Sequence, residues 1–184
     1  MYIHGGRDLK EGPIASLWRV NLSAIQRMKS NPTSPVSWEL ISSSGRDIGK
    51  ISHHTCALVS AKEVVFFGGL KGEDSSKSAF ILNLLNNSWS NVVLKVSLSQ
   101  LLLLQSTIEN LPRDDHASFD FKDGTFLTFG GFVNGSRTGQ VIKFKQEGAT
   151  LNASLLEPSS EASPCFRASL STGVLENKMF IFGG

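Results

Sequence analysis

The residues most able to do chemistry in this chain stand between Arg113 and His116, a stretch that reads Arg-Asp-Asp-His. Two carboxylates and an imidazole within so short a span could ligate a metal ion or serve as a general acid and base. A second candidate is the pair His53 and His54. Adjacent side chains of a strand point to opposite faces of the sheet, so we do not expect these two imidazoles to bind one ion together.

The rest of the composition offers little support for catalysis or for metal binding. Cys56 and Cys165 lie far apart without CxxC spacing, so the sequence predicts neither a zinc site nor a disulfide framework. The sequence shows no nucleophile beside a base, no glycine-rich phosphate loop and no zinc motif. We therefore expect a protein that is not an enzyme, with no catalytic residues, no metal and no cofactor.

Charge and hydropathy also exclude several classes of partner. Eighteen basic and sixteen acidic residues give a formal net charge of +2, which does not indicate nucleic acid as a partner. The longest apolar run that draws attention, Leu101–Leu104, is far shorter than the ~20 residues needed to span a bilayer. Residues 1–6 show neither the basic nor the apolar segment of a signal peptide. We expect a cytoplasmic location and no membrane partner.

The elements that must position these side chains come from an internal repeat. Four stretches end in a glycine pair whose second members are Gly6, Gly69, Gly131 and Gly184, at spacings of 63, 62 and 53 residues. Near-constant spacing of this kind is typical of repeat architectures. The four stretches are Tyr-Ile-His-Gly-Gly, Val-Phe-Phe-Gly-Gly, Leu-Thr-Phe-Gly-Gly and Phe-Ile-Phe-Gly-Gly.

More of the unit recurs than the glycines. His54 and His116 each lie fourteen residues before the first glycine of their unit, and Leu170 stands where the last unit would have its histidine. The residues in between read as a strand, a polar turn and an apolar strand, which predicts a β-hairpin. A polar loop and a third strand follow each of the first three glycine pairs, and Trp38 and Trp89 mark a fourth strand in two of the units.

The repeated unit resembles the blade of the Kelch family, in which four apolar residues precede Gly-Gly and a tryptophan lies near the fourth strand. The resemblance implies an all-β fold, a Kelch-type β-propeller fragment of four-stranded antiparallel blades over residues 1–184. It departs in the third unit, which lacks the tryptophan, and in the fourth, which lacks the histidine. The approximate units are residues 1–38, 51–89, 112–150 and 163–184. The structural motif comprises Gly5, Gly6, Gly68, Gly69, Gly130, Gly131, Gly183, Gly184, Trp38, Trp89, His54 and His116. In such a blade the large aromatic side chains of Phe80, Trp38 and Trp89 are expected to fill the wedge between neighbouring blades.

The resemblance favours a structural role for the most site-like stretch. His116 occupies the histidine position of the family, where the ring is expected to hydrogen-bond within or between blades. Asp114 and Asp115 do not recur, because Ser52-His53 and Ala168-Ser169 occupy the same places in other units. A further expectation concerns residues 97–111, which partly fit an amphipathic helix, either packed on the propeller rim or acting as a docking helix or lid.

The predicted strands form two full blades flanked by two partial ones. A closed propeller needs at least four blades, so we expect a fragment or truncated product of a longer propeller. The alternative is that two or more chains complete one ring.

The leading functional hypothesis is a protein-interaction module that acts as an adaptor or scaffold. Loops between strands two and three lie on one face with the links between blades, and loops on a rigid scaffold commonly carry binding residues. Their mixed charges suit a polar or acidic peptide held by arginines. The alternatives are a fragment of a propeller enzyme, such as a sugar-acid epimerase or specifier, and a truncated product without independent function. The candidate partner-binding residues are Arg7, Asp8, Lys71, Glu73, Arg113, Asp114, Asp115 and Arg137.

Overall fold

The fold was analysed in a computed structural model, which describes residues 1–23, 36–46, 48–96, 101–157, 162–176 and 178–184. Strands dominate these residues, and each glycine pair follows directly on a strand or closes one. The elements in chain order are β1 (Tyr2–His4), β2 (Arg7–Asp8), β3 (Gly12–Pro13), β4 (Leu17–Val20), β5 (Trp38–Leu40), β6 (Ser44–Gly45), β7 (Thr55–Ser60), β8 (Glu63–Phe67), β9 (Leu70–Lys71), β10 (Asp74–Ser75), β11 (Ala79–Asn83), β12 (Ser88–Asn91), β13 (Val93–Val96), α1 (Leu101–Asn110), β14 (Ala117–Asp120), β15 (Thr125–Phe129), β16 (Phe132–Val133), β17 (Ser136–Arg137), β18 (Val141–Glu147), β19 (Thr150–Leu156), β20 (Leu170–Leu175) and β21 (Lys178–Gly183).

The strands assemble into four blades. Blade I has the order β1-β4-β5, blade II the order β7-β8-β11-β12-β6, blade III the order β14-β15-β18-β19-β13, and blade IV the pair β20-β21. Sequence neighbours within a blade pair antiparallel, as hairpin-connected strands do. The β-propeller architecture and its four-stranded antiparallel blade are thus confirmed.

A fifth strand, which the sequence did not predict, closes the outer edge of blades II and III. β6 pairs parallel with β12, and β13 pairs parallel with β19. Each of these strands belongs to the link that enters the blade, so the chain runs along the outer edge before it turns to the innermost strand. An uncovered edge presents unpaired backbone groups, which the extra strand satisfies.

Alternating side chains place the central strands of blade II, β8 and β11, in two cores at once. In β8, Val65 and Phe67 belong to the core shared with blade III, whereas Val64 and Phe66 face the core shared with blade I. Both faces of blade II are therefore buried, which explains the nearly continuous apolar run before its glycine pair. Burial of one such phenylalanine contributes about 1.5–3 kcal/mol.

Aromatic side chains fill the wedges between blades, with one exception. Trp89 is 4% exposed and packs edge-to-face on Phe66 with their ring centroids 5.0 Å apart. Trp38, expected to play the same part, is 40% exposed on β5. Trp89 has blade I to pack against, whereas none of the described residues forms a blade on the corresponding side of blade I. The wedge role predicted for Trp38 is therefore not observed.

The innermost strands β7, β14 and β20 lie side by side around the axis. The Ser118 hydroxyl donates to the Cys56 carbonyl at 3.3 Å, and the Thr172 hydroxyl donates to the Ser118 carbonyl at 3.2 Å. Equivalent positions of successive blades thus make the same contact, as a propeller requires. At the other end of blade III, α1 packs against β13 and β19, which places the helix on the rim.

Candidate protein-binding surface

Three short hairpins leave the propeller at equivalent points. β2–β3, β9–β10 and β16–β17 each begin directly after a glycine pair. Two of them are also tied to the link that precedes their own blade, since Leu70 bridges Ser52 and Phe132 bridges Asp114. Because the hairpins occupy the same position in successive blades, they share one face, which we call the hairpin face.

A repeated set of backbone hydrogen bonds fixes each hairpin to two blades. The second glycine donates its N–H to the link of the next blade, and the end of the hairpin donates back to that glycine. The residue of the link that accepts from the glycine also donates its own N–H to the end of the hairpin. The first bond joins Gly6 to Ile51 (2.9 Å), Gly69 to Arg113 (2.8 Å) and Gly131 to Arg167 (2.9 Å). The second joins Ile14 to Gly6 (3.0 Å), Ser76 to Gly69 (2.8 Å) and Thr138 to Gly131 (3.0 Å). The third joins Ile51 to Ile14 (3.3 Å), Arg113 to Ser76 (3.1 Å) and Arg167 to Thr138 (3.4 Å).

Five of the eight predicted partner-binding residues are exposed on these hairpins. Asp8 shapes the first hairpin, because its Oδ1 accepts from the backbone N–H groups of Lys10 (2.7 Å) and Glu11 (2.9 Å). These hydrogen bonds, the one from Glu11 first, hold the pKa of the Asp8 carboxyl below its usual value. Leu9, between Asp8 and Lys10, is fully exposed at the tip. The five exposed residues are Arg7, Asp8, Lys71, Glu73 and Arg137.

Two cations of the hairpin face are held over aromatic rings. The Lys71 ammonium lies 5.5 Å from the centroid of the Phe80 ring, and the Arg137 guanidinium carbon lies 5.3 Å from the centroid of Phe132. Contacts of this kind are worth about 0.5–1 kcal/mol at exposed sites. They restrict the long side chains while leaving the charged groups open to solvent.

Arg113 does not belong to the hairpin face, and the prediction that placed it there is corrected. Its side chain is 0% exposed. Nε donates to the Asn110 carbonyl at 2.9 Å, and Nη1 lies 3.4 Å from the Gly130 carbonyl oxygen. Burial lowers the pKa of the guanidinium to about 10, so it remains charged at neutral pH. Its hydrogen bonds connect the end of α1 to the glycine pair of blade III.

The two aspartates after Arg113 are also engaged within the protein. Asp114 is 6% exposed, and its carboxylate accepts a hydrogen bond from the Ser75 hydroxyl of β10. Asp115 is half-buried and accepts from the Ser169 hydroxyl of the next blade. Asp114 therefore braces the second hairpin, while Asp115 joins blades III and IV. These contacts place Asp114 inside the fold and not on the hairpin face.

The histidines of the repeat lie at the junctions between blades. The His116 ring is 5% exposed, and its Nε2 lies 2.8 Å from the Thr55 hydroxyl of blade II. Burial, followed by the charge of Arg113, lowers the pKa of His116 well below its usual value. Burial likewise lowers the pKa of His54 to about 4. Both rings are neutral at pH 7.

One structural residue of this region was missed by the sequence reasoning. Arg167 stands in the link to blade IV where Arg113 stands in the link to blade III, and its Nη1 donates to the Gly183 carbonyl at 3.0 Å. Each arginine thus reaches the first glycine of its own blade. The signal was present, since each arginine precedes the histidine position by three residues, occupied by His116 in one blade and Leu170 in the other.

Within the described part of the chain, no group of three or more His, Cys, Asp or Glu side chains is arranged to hold a metal ion. None of the helices found there has the length and apolar character needed to cross a bilayer. The stretch from Arg113 to His116 instead distributes its side chains over separate structural contacts.

Comparison with known proteins agrees with the blade geometry. A family model described as the KLHDC2/KLHL20/DRC7 Kelch-repeats domain matches residues 1–184. A search among curated proteins found no match. Kelch-repeat domains are generally protein-interaction modules. Since the match covers the whole sequence, the chain belongs to this family of Kelch-repeat domains.

Proposed function

We propose that this protein is a non-enzymatic interaction module that binds a protein partner on the hairpin face, and that the partner presents an acidic segment. The observation that carries the proposal is that two cations on that face are exposed and have no ion-pair partner among the described residues. Lys71 and Arg137 are exposed, positioned over aromatic rings, and in no ion pair with the described residues. The ion pair found among those residues, Arg19 with Glu39 at 2.7 Å, lies on the strands of blade I.

An acidic partner suits these cations for two physical reasons. A cation that has no internal carboxylate can pair with an external one without first breaking an ion pair. Ring contacts also restrict the Lys71 and Arg137 side chains before binding, which reduces the conformational entropy lost on association. Arg7, exposed on β2, adds a third positive charge to the face. The expected mode is a rim of charge–charge contacts around a central contact with the hairpin tips.

The test is a comparison of charge reversals on two faces. The double variant Lys71→Glu/Arg137→Glu is compared with Lys122→Glu/Lys178→Glu. Both lysines of this control are exposed, Lys122 in the turn of the hairpin β14–β15 and Lys178 at the start of β21. Partners captured by the wild-type protein from cell extract are quantified by mass spectrometry. A synthetic peptide carrying the acidic segment of a captured partner is then titrated against all three proteins.

The proposal predicts a loss of affinity of at least tenfold for the first variant and an unchanged affinity for the second. The first variant should also show a smaller salt dependence, because fewer charge pairs form. Circular dichroism spectra should be the same for all three proteins. Equal peptide affinities of the two variants would refute the assignment of binding to the hairpin face.

A further inference from the structure

The same position of the repeat carries an ionisable ring at two blade junctions and an aliphatic side chain at the third. His54 and His116 directly precede an innermost strand, and Leu170 begins one. Each of the three follows a residue with positive φ, namely His53, Asp115 or Ser169. They meet equivalent surroundings. A Cβ built on the first glycine of the preceding blade would lie 3.0 Å from His54 Cε1, 2.6 Å from His116 Cε1 and 3.3 Å from Leu170 Cδ2, at Gly5, Gly68 and Gly130 respectively.

Neutral histidine fits these junctions, and a charged ring would not. The centroid of the His54 ring lies 5.7 Å from the ring centroids of both His4 and Phe66. The centroid of the Trp89 ring lies 5.0 Å from that of His4. The titratable neighbours of His54 are His4 on β1 and the adjacent His53. A positive charge on either of them disfavours protonation of His54. A hydrogen bond to the His4 backbone acts in the opposite direction.

The second junction has the same character. His116 is fully enclosed, and the charged Arg113 and the ring of His54 both act against its protonation. Its Nε2 meets the Thr55 hydroxyl of blade II. At the third junction Ala117 takes the place of Thr55 and Leu170 that of His116, so the polar pair is replaced by two apolar residues. Asp120 lines the groove beside His54.

We propose that the junctions between blades I and II and between blades II and III form an acid-sensitive device. Proton binding to His54 and His116 loosens these two junctions, whereas the junction between blades III and IV, which carries Leu170, does not respond to pH. The device is a property of the scaffold and does not depend on the identity of any partner.

The direction and size of the effect follow from proton linkage. A histidine whose pKa is lower in the closed state than in the open state stabilises closure above pH 6.5, and that stabilisation is lost as the pH falls through 6.5 toward 4. For His54 alone, linkage gives a roughly 20-fold increase in the equilibrium constant for opening between pH 7 and pH 5. His116, whose pKa burial also lowers well below its usual value, adds to the effect at its own junction.

The test is amide hydrogen exchange resolved by residue with NMR, at pH 7 and pH 5, with rates converted to protection factors. The reporter amides bridge successive blades: those of Gly6, Gly69 and Asp115 report on the two histidine junctions, and those of Gly131 and Ser169 report on the third. Between pH 7 and pH 5 we expect the protection factors of the first set of amides to fall tenfold or more and those of the second set to stay unchanged. Equal losses in both sets would overturn the proposal.

Substitutions then assign the effect to each ring. His116→Leu copies the residue found at position 170, and it should abolish the pH dependence at Gly69 and Asp115 while that at Gly6 persists. His54→Leu should do the reverse. His53→Asn removes the exposed imidazole beside His54 and keeps a residue type that tolerates positive φ, so the pH dependence at Gly6, Gly69 and Asp115 should remain. Retention of the full pH dependence in His116→Leu would overturn the assignment, and the wild-type comparison needs no variant to fold.

Discussion

The glycine pairs allow a direct test of how closely the blades are packed. Gly68 and Gly72 lie four residues apart in blade II, with φ of +71° and +70°. A Cβ at Gly68 would lie 2.6 Å from the Arg113 carbonyl oxygen and 2.6 Å from His116 Cε1, whereas a Cβ at Gly72 would meet nothing within 4 Å. Gly68→Ala and Gly72→Ala therefore share the same backbone strain and differ in the space available.

The expected magnitudes can be worked out from these distances. The left-handed conformation costs a residue with a Cβ about 1–2 kcal/mol, and both variants incur that cost. In Gly68→Ala the link to blade III must also retreat by about 0.8 Å or more to reach an ordinary contact, which at the cost of overpacking adds about 1–3 kcal/mol. The retreat also weakens the bond from Gly69 N–H to the Arg113 carbonyl, for about 1 kcal/mol more. We expect a total of about 3–6 kcal/mol.

Urea unfolding followed by tryptophan fluorescence measures both variants against the wild-type protein. The free energy of unfolding should fall by about 1–2 kcal/mol for Gly72→Ala and by at least about 2 kcal/mol more for Gly68→Ala. The m-values should remain similar, since the surface exposed on unfolding is nearly the same. If the two variants lose the same stability, the glycine pair does not mark a close contact between blades and the argument fails.

Three further predictions test the interior. Phe144→Ala removes a fully buried ring stacked on a neighbouring phenylalanine and should lower the free energy of unfolding by about 3–5 kcal/mol in the same assay. Arg113→Ala should cost about 3 kcal/mol or more, because it leaves a cavity and an unbonded carbonyl, whereas the half-buried Arg167→Ala should cost about 1 kcal/mol; equal losses would contradict the burial argument. Cys56 and Cys165 are both exposed, but iodoacetamide should label Cys165 faster, since local desolvation and then the charge of Asp120 raise the pKa of the Cys56 thiol and the thiolate is the reactive form; peptide mass spectrometry decides.

The features that could be predicted from the sequence are those that depend on residues close together in the chain. The spacing of His54 and His116 from their glycines predicted the hairpin of strands that the structure contains, because antiparallel pairing across a short turn is a local property. Alignment of the units also placed Leu170 at the histidine position, and the pairing of β20 with β21 puts it there.

What could not be predicted depends on distant parts of the chain. Arg113 is a residue type that is seldom fully buried, and its acceptor Gly130 lies seventeen residues away, directly after β15. The fifth strand β13 pairs with β19, more than fifty residues later in the chain. The sequence pattern of neither strand indicates that its partner is parallel. Charge patterns therefore located the hairpin face but did not separate its exposed charges from the buried ones.

The proposed binding surface and the proposed acid-sensitive junctions both depend on the links between blades. The carbonyl of Ile51 accepts from Gly6 three residues before His54, and that of Arg113 accepts from Gly69 three residues before His116. The same links thus carry both the anchor of a hairpin and the titratable ring of a junction. When a ring binds a proton and its link withdraws, the hairpin of the preceding blade loses one of its two supports. A surface whose charges are spaced by these hairpins should accordingly bind an acidic segment less tightly at pH 5 than at pH 7, and His116→Leu should restore part of the affinity.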